Sequence, residues 1–222
     1  MRFTVSVATL TVACIAFVAW AGSPVSNASE ARNISSVNGS VSASPGEAYK
    51  TLSTVNGDVH VGRGASADEA KTVNGEIVLD SDAKVGDAST VNGSLEIGEG
   101  AAIAHEASTV NGSVTLRKRA QVGGDVSTVS GDIELTGAEV TGRLETRNGD
   151  IDLADGARVR GGIHVKKKND GNWGWGSDKP VQVRICSTCI VDGELRFDRP
   201  VELRVENGAK IGQVIGDSVT RR

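Results

Sequence analysis

Aromatic side chains are scarce in this sequence, at 3% of its 222 residues. Buried rings dominate wide cores, so their scarcity favours an interior too narrow to hold them. Charge of one sign is not in large excess either, because the formal net charge of −4 gives no strong pull toward nucleic acid or an anionic membrane. Three cysteines and three widely spaced histidines do not supply the four clustered ligands of a structural zinc site.

The N-terminus carries a long uncharged apolar stretch, from Phe3 to Trp20, directly after Arg2. This pattern predicts a secretory signal peptide over residues 1–21, cleaved after Ala21 or as late as residue 28. We therefore expect an exported protein, periplasmic or on the surface of a bacterial cell, with a linker over residues 22–34. The alternative is an uncleaved segment that anchors the chain in a membrane. Lipidation at Cys14 is disfavoured because apolar residues continue past it.

A short motif, Val-Asn-Gly, recurs along the chain at nearly constant spacing. Its asparagines are Asn38, Asn56, Asn74, Asn92 and Asn111, and it continues as Val129-Ser130-Gly131 and Arg147-Asn148-Gly149. The successive spacings are 18, 18, 18, 19, 19 and 18 residues. Such a period indicates a repeat architecture in which each unit stacks on its neighbours.

Within each repeat, apolar residues return at alternate positions, which predicts short β-strands. They lie one residue before the asparagine, three and five after it, and near nine, eleven and fourteen after it. In the repeat of Asn74 these residues are Val73, Ile77, Leu79, Ala83, Val85 and Ala88. We predict that all of them face the interior, so that valines such as Val73, Val91 and Val110 stack inward, with polar residues between them facing water.

Stacking allows such rungs to bury their apolar side, so we predict an all-β, single-stranded β-helix (β-solenoid) of about 18-residue rungs over residues 35–165. Seven or eight rungs would form a rod of about 35–40 Å. Stacked asparagines are expected to form an amide ladder along one edge. The alternative is a meander of antiparallel hairpins, which Asn-Gly also favours. The second apolar group of each repeat favours the solenoid instead.

An inserted loop interrupts the repeat over residues 166–180. Its cations and indoles are Lys166, Lys167, Lys168, Trp173 and Trp175. Exposed indoles beside cations can stack on sugars or meet a membrane interface, so we predict a contact loop. The alternative is that the indoles fold back over apolar edges of the solenoid. Residues 181–222 resume the alternation with bulkier side chains such as Phe197, which predicts terminal rungs and a C-terminal cap.

Cys186 and Cys189 are separated by Ser187 and Thr188. A disulfide is the natural state of such a pair in an exported chain. In a straight strand the two Cα atoms would be about 10 Å apart, so the bond requires a turn at Ser187-Thr188. No helical pattern surrounds the pair, as a thioredoxin-type motif would need. We predict a local disulfide, with unpaired buried thiols or an intermolecular bond as alternatives.

No catalytic or cofactor-binding constellation emerges from the sequence. His60 and His164 lie between alternating apolar residues, which places them on outward faces without a nucleophile in a comparable position. An acidic cluster in neighbouring repeats, Asp132, Asp150, Asp152 and Asp155, could bind calcium or act on a polysaccharide. Asp132 and Asp150 follow the repeat glycine, where other repeats carry serine, so a solvated polar column explains them better. We predict no enzymatic activity, no metal and no cofactor.

Two segments, Thr54 to Val59 and Thr128 to Ile133, resemble the repeats of a bacterial β-solenoid family described as adhesins. Gly161-Gly162-Ile163 and the segment from Asn207 to Gly212 resemble bactofilins, which are polymer-forming scaffold proteins without enzymatic activity. The resemblance implies a structural, adhesive or polymer-forming role, with further copies of the chain or an envelope glycan or protein as partners. A secretion signal departs from the cytoplasmic pattern of bactofilins and favours the envelope. The alternative function is a polysaccharide-binding or polysaccharide-active β-helix.

Overall fold

The computed structural model describes residues 32–167, 179–216 and 219–221, which form a β-solenoid of parallel strands. Within these ranges the chain forms no helix, and so none that could cross a membrane. Each strand pairs with the equivalent strand of the next coil, as β-strand residues Val59–Val61 do with Ile77–Leu79. The predicted solenoid is confirmed, and the hairpin alternative is wrong because equivalent strands run parallel.

The described residues form two sheets, one with sixteen strands and one with ten. Sheet 1 contains β1 (Arg32–Asn38), β3 (Ala48–Asn56), β5 (Ser66–Asn74), β7 (Lys84–Asn92), β9 (Ala102–Ile103), β10 (Ala107–Asn111), β12 (Gln121–Val122), β13 (Val126–Ser130), β15 (Glu139–Val140), β16 (Leu144–Thr146), β18 (Arg158–Val159), β19 (Ile163–Val165), β21 (Ile190–Val191), β22 (Leu195–Phe197), β24 (Lys210–Ile211) and β25 (Val214–Ile215). Sheet 2 contains β2 (Val41–Ala43), β4 (Val59–Val61), β6 (Ile77–Leu79), β8 (Leu95–Ile97), β11 (Val114–Leu116), β14 (Ile133–Thr136), β17 (Ile151–Ala154), β20 (Val181–Ile185), β23 (Val201–Val205) and β26 (Val219–Arg221).

Each coil turns its corner from sheet 1 to sheet 2 at the Asn-Gly pair. Glycine is required there because consecutive coils approach closely. A Cβ atom placed on Gly93 would lie 1.8 Å from the carbonyl oxygen of Gly75, and one on Gly75 would lie 1.9 Å from that of Gly57. A later turn in the coil is closed by a backbone hydrogen bond such as Ala83 N–H to Asp80 O, 3.2 Å.

The interior consists of columns of small aliphatic side chains that run from coil to coil. In the repeat of Asn74, Ile77, Leu79, Ala83, Val85 and Ala88 are each at most 3% exposed. The same columns are filled by Val114, Leu116, Ala120, Val122 and Val126 in the repeat of Asn111. Five of the six predicted inward positions are therefore confirmed.

The sixth position, the valine before each asparagine, does not face inward. Val55, Val73, Val91 and Val110 are each 40% exposed, and the prediction that they stack inside is wrong. The preceding threonine is inside instead: Thr90 is 4% exposed and donates its hydroxyl to the Gly75 carbonyl at 3.1 Å. Strand alternation then turns the next residue, Val91, outward.

The stack is longer than predicted, because sheet 2 has ten strands, one for each coil. At about 4.8 Å per coil, its length is about 43 Å. The strands β20 to β26 continue both sheets. Phe197 pairs with Val165 of the coil before and is 4% exposed, so it fills a core column and does not cover the end.

Candidate interaction surfaces

The asparagines of the repeat form the expected amide ladder. The side-chain nitrogen of each donates to the side-chain oxygen of the previous one, at 3.0 Å from Asn56 to Asn38 and 2.8 Å from Asn74 to Asn56. Asn92 and Asn111 continue the ladder at 2.9 Å each. The asparagine amides remain exposed. The ladder therefore connects neighbouring coils by hydrogen bonds and also forms a polar edge of the surface.

The residue after the repeat glycine forms a second column of inter-coil hydrogen bonds. Asp132 accepts the backbone N–H of Asp150 at 2.8 Å, and Asp150 accepts that of Gln182 at 2.8 Å. Serine does the same at another coil, where Ser94 Oγ accepts the N–H of Ser113 at 3.3 Å. This shared role explains why aspartate and serine alternate at the position.

The acidic cluster does not converge on one point. Asp152 pairs with Arg184 at 2.8 Å, and Asp155 pairs with Lys118 at 3.4 Å, while Asp132 and Asp150 bond to the backbone. Among the residues that the structure describes, no group of three or more His, Cys, Asp or Glu side chains could hold a metal ion.

The histidines lie in ion-pairing positions on the outer faces. His60 Nε2 is 3.0 Å from Asp80, and His105 Nδ1 is 3.2 Å from Asp87. His164 is the most enclosed, with 19% of its side chain exposed and Nε2 2.7 Å from Asp198. The hydrogen bond with His164, aided by one from Arg196, lowers the pKa of Asp198 although partial burial acts in the opposite direction.

Cys186 and Cys189 form a disulfide, with an S–S distance of 2.14 Å and Cα atoms 5.1 Å apart. The chain turns at Ser187-Thr188, and Cys189 N–H donates to Cys186 O at 3.0 Å. Coils without cysteine make the same turn, so the disulfide reinforces a turn that the repeat already forms.

Only part of the predicted contact loop falls within the described residues. Lys166 pairs with Glu145, and Lys167 is exposed. Lys168, Trp173 and Trp175 lie outside the described ranges, so their role stays a prediction.

Arg199 connects the C-terminal part of the insertion to an earlier coil, a role that no sequence pattern indicates. Its guanidinium donates to the Arg147 carbonyl at 2.6 Å, to Asn148 Oδ1 at 3.0 Å and to the Lys179 carbonyl at 3.2 Å. These partners are 52, 51 and 20 residues away in sequence. No local pattern marks a contact over such separations.

The exposed valines form a column on the outside of sheet 1. Val37 is 65% exposed, and the next four valines are 40% exposed each. Two columns border it: the asparagine ladder on one side and, two residues before each valine, a column of Ser35, Ser53, Lys71, Ser89 and Ser108 on the other. We call these three columns, over residues 35–130, the valine strip.

Both ends of the stack present strand edges. At the N-terminal end β1 pairs with β3 and β2 with β4, and at the C-terminal end β26 pairs with β23. No second partner of these three end strands lies among the described residues. Several apolar side chains of the last coil are only partly buried, among them Val205, Ile211, Val214 and Val219, and Ile215 is 39% exposed.

Comparisons with protein-family models, curated proteins and solved structures found no match. The resemblance to adhesins and bactofilins therefore rests on the short sequence motifs alone and stays a prediction. The function has to be argued from the surfaces described above.

Proposed function

We propose that this chain is an exported, non-enzymatic structural protein of the bacterial envelope, adhesive or polymer-forming, whose copies associate end to end. The observation that carries the proposal is that the strands at both ends of the stack have no second partner among the described residues. Strands with unpaired N–H and C=O groups invite the addition of further strands.

The two ends suit each other in direction, apolar character and charge. Both sheets are parallel throughout the paired coils, so an N-terminal coil placed on a C-terminal coil continues the same pairing. The partly buried Ile211 and Val214 would gain cover from such a contact. Residues 1–110 carry 6 Lys and Arg against 12 Asp and Glu, whereas residues 111–222 carry 18 against 16. This asymmetry favours head-to-tail contact.

The bulky C-terminal rungs of the sequence predict a covered C-terminal end, which would leave the N-terminal rung as the open edge. The burial pattern indicates that both ends are open among the described residues. Ile34 of the first coil and Ile211 and Val214 of the last coil pack against the core and are all only partly buried. We therefore include the C-terminal coil in the proposed contact.

The proposed absence of catalysis is supported by the partners of the polar groups. The three histidines are held in ion pairs, and aspartates such as Asp152 and Asp132 form an ion pair or accept a backbone N–H of the next coil. A solenoid enzyme needs an acid, a base or metal ligands that converge within a few ångströms.

Light scattering over a range of protein concentrations tests the association. We expect the mean mass of the mature wild-type protein to rise with concentration and that of Ile215→Lys to stay at the monomer value, because a charge at the end opposes strand addition. Val78→Lys, on the outer face of sheet 2, is the matched control and should behave as wild type. A wild-type protein that is monomeric at every concentration would contradict the proposal.

Export is tested separately by mass spectrometry of the native protein. A chain that begins at residue 22 or 29 supports cleavage of the predicted signal peptide. An intact Met1 in a cytoplasmic fraction contradicts export and leaves the association test unaffected.

A further inference from the structure

The valine strip contains a continuous line of exposed apolar side chains on the outside of sheet 1. Surface valines that occur singly need no explanation, but five in consecutive coils form a continuous line. Four spacings of about 4.8 Å give this line a length of about 19 Å. Within the strip, Lys71 is the one charged side chain.

Acidic columns lie on both sides of the strip. Four residues before the valine, Glu69, Asp87, Glu106 and Asp125 occupy equivalent positions in four successive coils. Three residues after the valine, past the corner, the equivalent position is held by Asp58, Glu76, Asp132 and Asp150, with serine in the remaining coils.

Most of these carboxylates have no cationic partner. Glu69 pairs with Lys71, and Asp87 pairs with His105. The other six, Asp58, Glu76, Glu106, Asp125, Asp132 and Asp150, form no ion pair with a described residue. Four of them accept backbone N–H groups of the next coil: Asp58, Asp125, Asp132 and Asp150.

Several carboxylates elsewhere on the solenoid are neutralised by its own arginines. Glu99 pairs with Arg119 at 3.1 Å, and Glu139 pairs with Arg160 at 2.6 Å. Asp192 is paired in the same way with Arg158 at 2.8 Å. The six carboxylates that flank the exposed valines lack such partners among the described residues and keep their negative charge uncompensated.

We propose that the valine strip is a docking surface for a basic polypeptide segment that carries aliphatic side chains among its lysines or arginines. The aliphatic groups contact the valine column, and the cations reach the carboxylates on either side. Hydrophobic contact supplies affinity, and the acidic columns supply orientation and steering. The proposal names a partner class for the scaffold proposed above, yet it requires neither end-to-end association nor export.

The charge pattern excludes the other occupants of an apolar strip. An anionic membrane and a nucleic acid would both be repelled by the acidic columns. In a face-to-face pair of two copies, acidic columns would meet acidic columns whether the copies ran parallel or antiparallel. A neutral glycan would leave the carboxylates without partners.

The test uses the mature protein and three fluorescent 12-residue peptides, in fluorescence anisotropy at low and at moderate salt. The probe alternates lysine and valine, one control alternates lysine and serine, and the other alternates glutamate and valine. We expect the lysine–valine peptide to bind at least tenfold more tightly than either control, with an affinity that falls as salt rises.

Two variants locate the site. Val73→Thr/Val91→Thr/Val110→Thr keeps the β-branched shape but makes the column polar, and Glu106→Gln/Asp125→Asn/Asp132→Asn removes three flanking charges. We expect each to weaken binding at least tenfold, and the second also to reduce the salt dependence. Glu99→Gln/Glu139→Gln/Asp155→Asn removes three charges on other faces and should change the affinity less than twofold. Circular dichroism checks that every variant folds.

Equal binding of the lysine–serine peptide would overturn the proposal, because it would indicate attraction by charge alone. An equal loss of peptide affinity in Glu99→Gln/Glu139→Gln/Asp155→Asn would overturn the proposal for the same reason. Tighter binding of phosphatidylglycerol vesicles or of a soluble neutral glucan than of the lysine–valine peptide would assign the strip to another class of partner. A protein that binds the peptide but never self-associates would retain this proposal and lose the end-to-end one.

Discussion

The closest approach between coils, at the repeat glycines, offers the sharpest test of the packing. We consider Gly93→Ala, in the middle of the stack. The added methyl group would lie 1.8 Å from the Gly75 carbonyl oxygen and 2.5 Å from its carbonyl carbon. That oxygen accepts the Thr90 hydroxyl at 3.1 Å, and Gly75 N–H donates to Asn92 O at 3.0 Å. The coils cannot separate by the required ångström or more without losing both bonds.

Overpacking of this kind costs about 1–3 kcal/mol, and each lost hydrogen bond adds about 1 kcal/mol. We therefore expect Gly93→Ala to lower the free energy of unfolding by about 3–5 kcal/mol. The matched control is Gly64→Ala. A Cβ at Gly64 would meet nothing within 4 Å, but its φ of +66° is left-handed, which costs an alanine about 1–2 kcal/mol.

Urea unfolding followed by far-ultraviolet circular dichroism measures both changes. Backbone conformation alone predicts that Gly64 is the more sensitive glycine, whereas inter-coil packing predicts that Gly93 is. A loss at Gly93 equal to or smaller than the loss at Gly64 would refute the packing argument. Local unfolding of one end of the repeat array would appear as a shallower transition. The slope of the free energy of unfolding against urea concentration is therefore compared as well.

Three further changes follow from the hydrogen bonds, the disulfide and the ion pairs. Thr90→Val should lower the free energy of unfolding by about 1–3 kcal/mol in the same urea assay, because the Gly75 carbonyl loses its hydroxyl donor inside the stack. Replacing Cys186 and Cys189 by alanine should cost on the order of 2 kcal/mol, the closure entropy of a very short loop, with an unchanged circular dichroism spectrum; loss of the β spectrum would show that the disulfide defines the turn. The lowered pKa of Asp198 means that its contribution to stability is fully present above the unfolded value of about 3.9 and is lost as the pH falls through the lower folded value. Asp198→Asn should therefore flatten the stability profile below about pH 4, and an unchanged profile would contradict this assignment.

The repeat spacing was sufficient to predict the solenoid, because 18 residues with two apolar groups fit one coil. The asparagine ladder was predictable for the same reason, since equal spacing brings identical residues together. The valine error has a physical cause. Hydropathy placed Val91 inside and Thr90 outside, but the threonine hydroxyl finds an acceptor in the Gly75 carbonyl, and so a polar residue is stable within the core.

Contacts between coils at unequal positions were not predictable. The ion pair of Glu139 with Arg160 joins residues 21 apart, and Arg199 reaches Arg147 across the insertion. Both depend on which long side chain extends along the rod, which the repeat period does not determine. The unpaired carboxylates beside the valine strip were equally hidden, because the sequence shows the charges but not which of them have partners.

The constant register between coils also makes the length of this protein adjustable in whole steps. Excision of residues 75–92 would join Asn74 to Gly93 and leave every column, from the aliphatic core to the amide ladder, continuous. The rod would become shorter by one coil, about 4.8 Å, while its cross-section and both ends stayed the same. Duplication of the same segment would lengthen it by an equal amount. A gene that gains or loses one such unit can therefore change the distance between the two ends without a new fold.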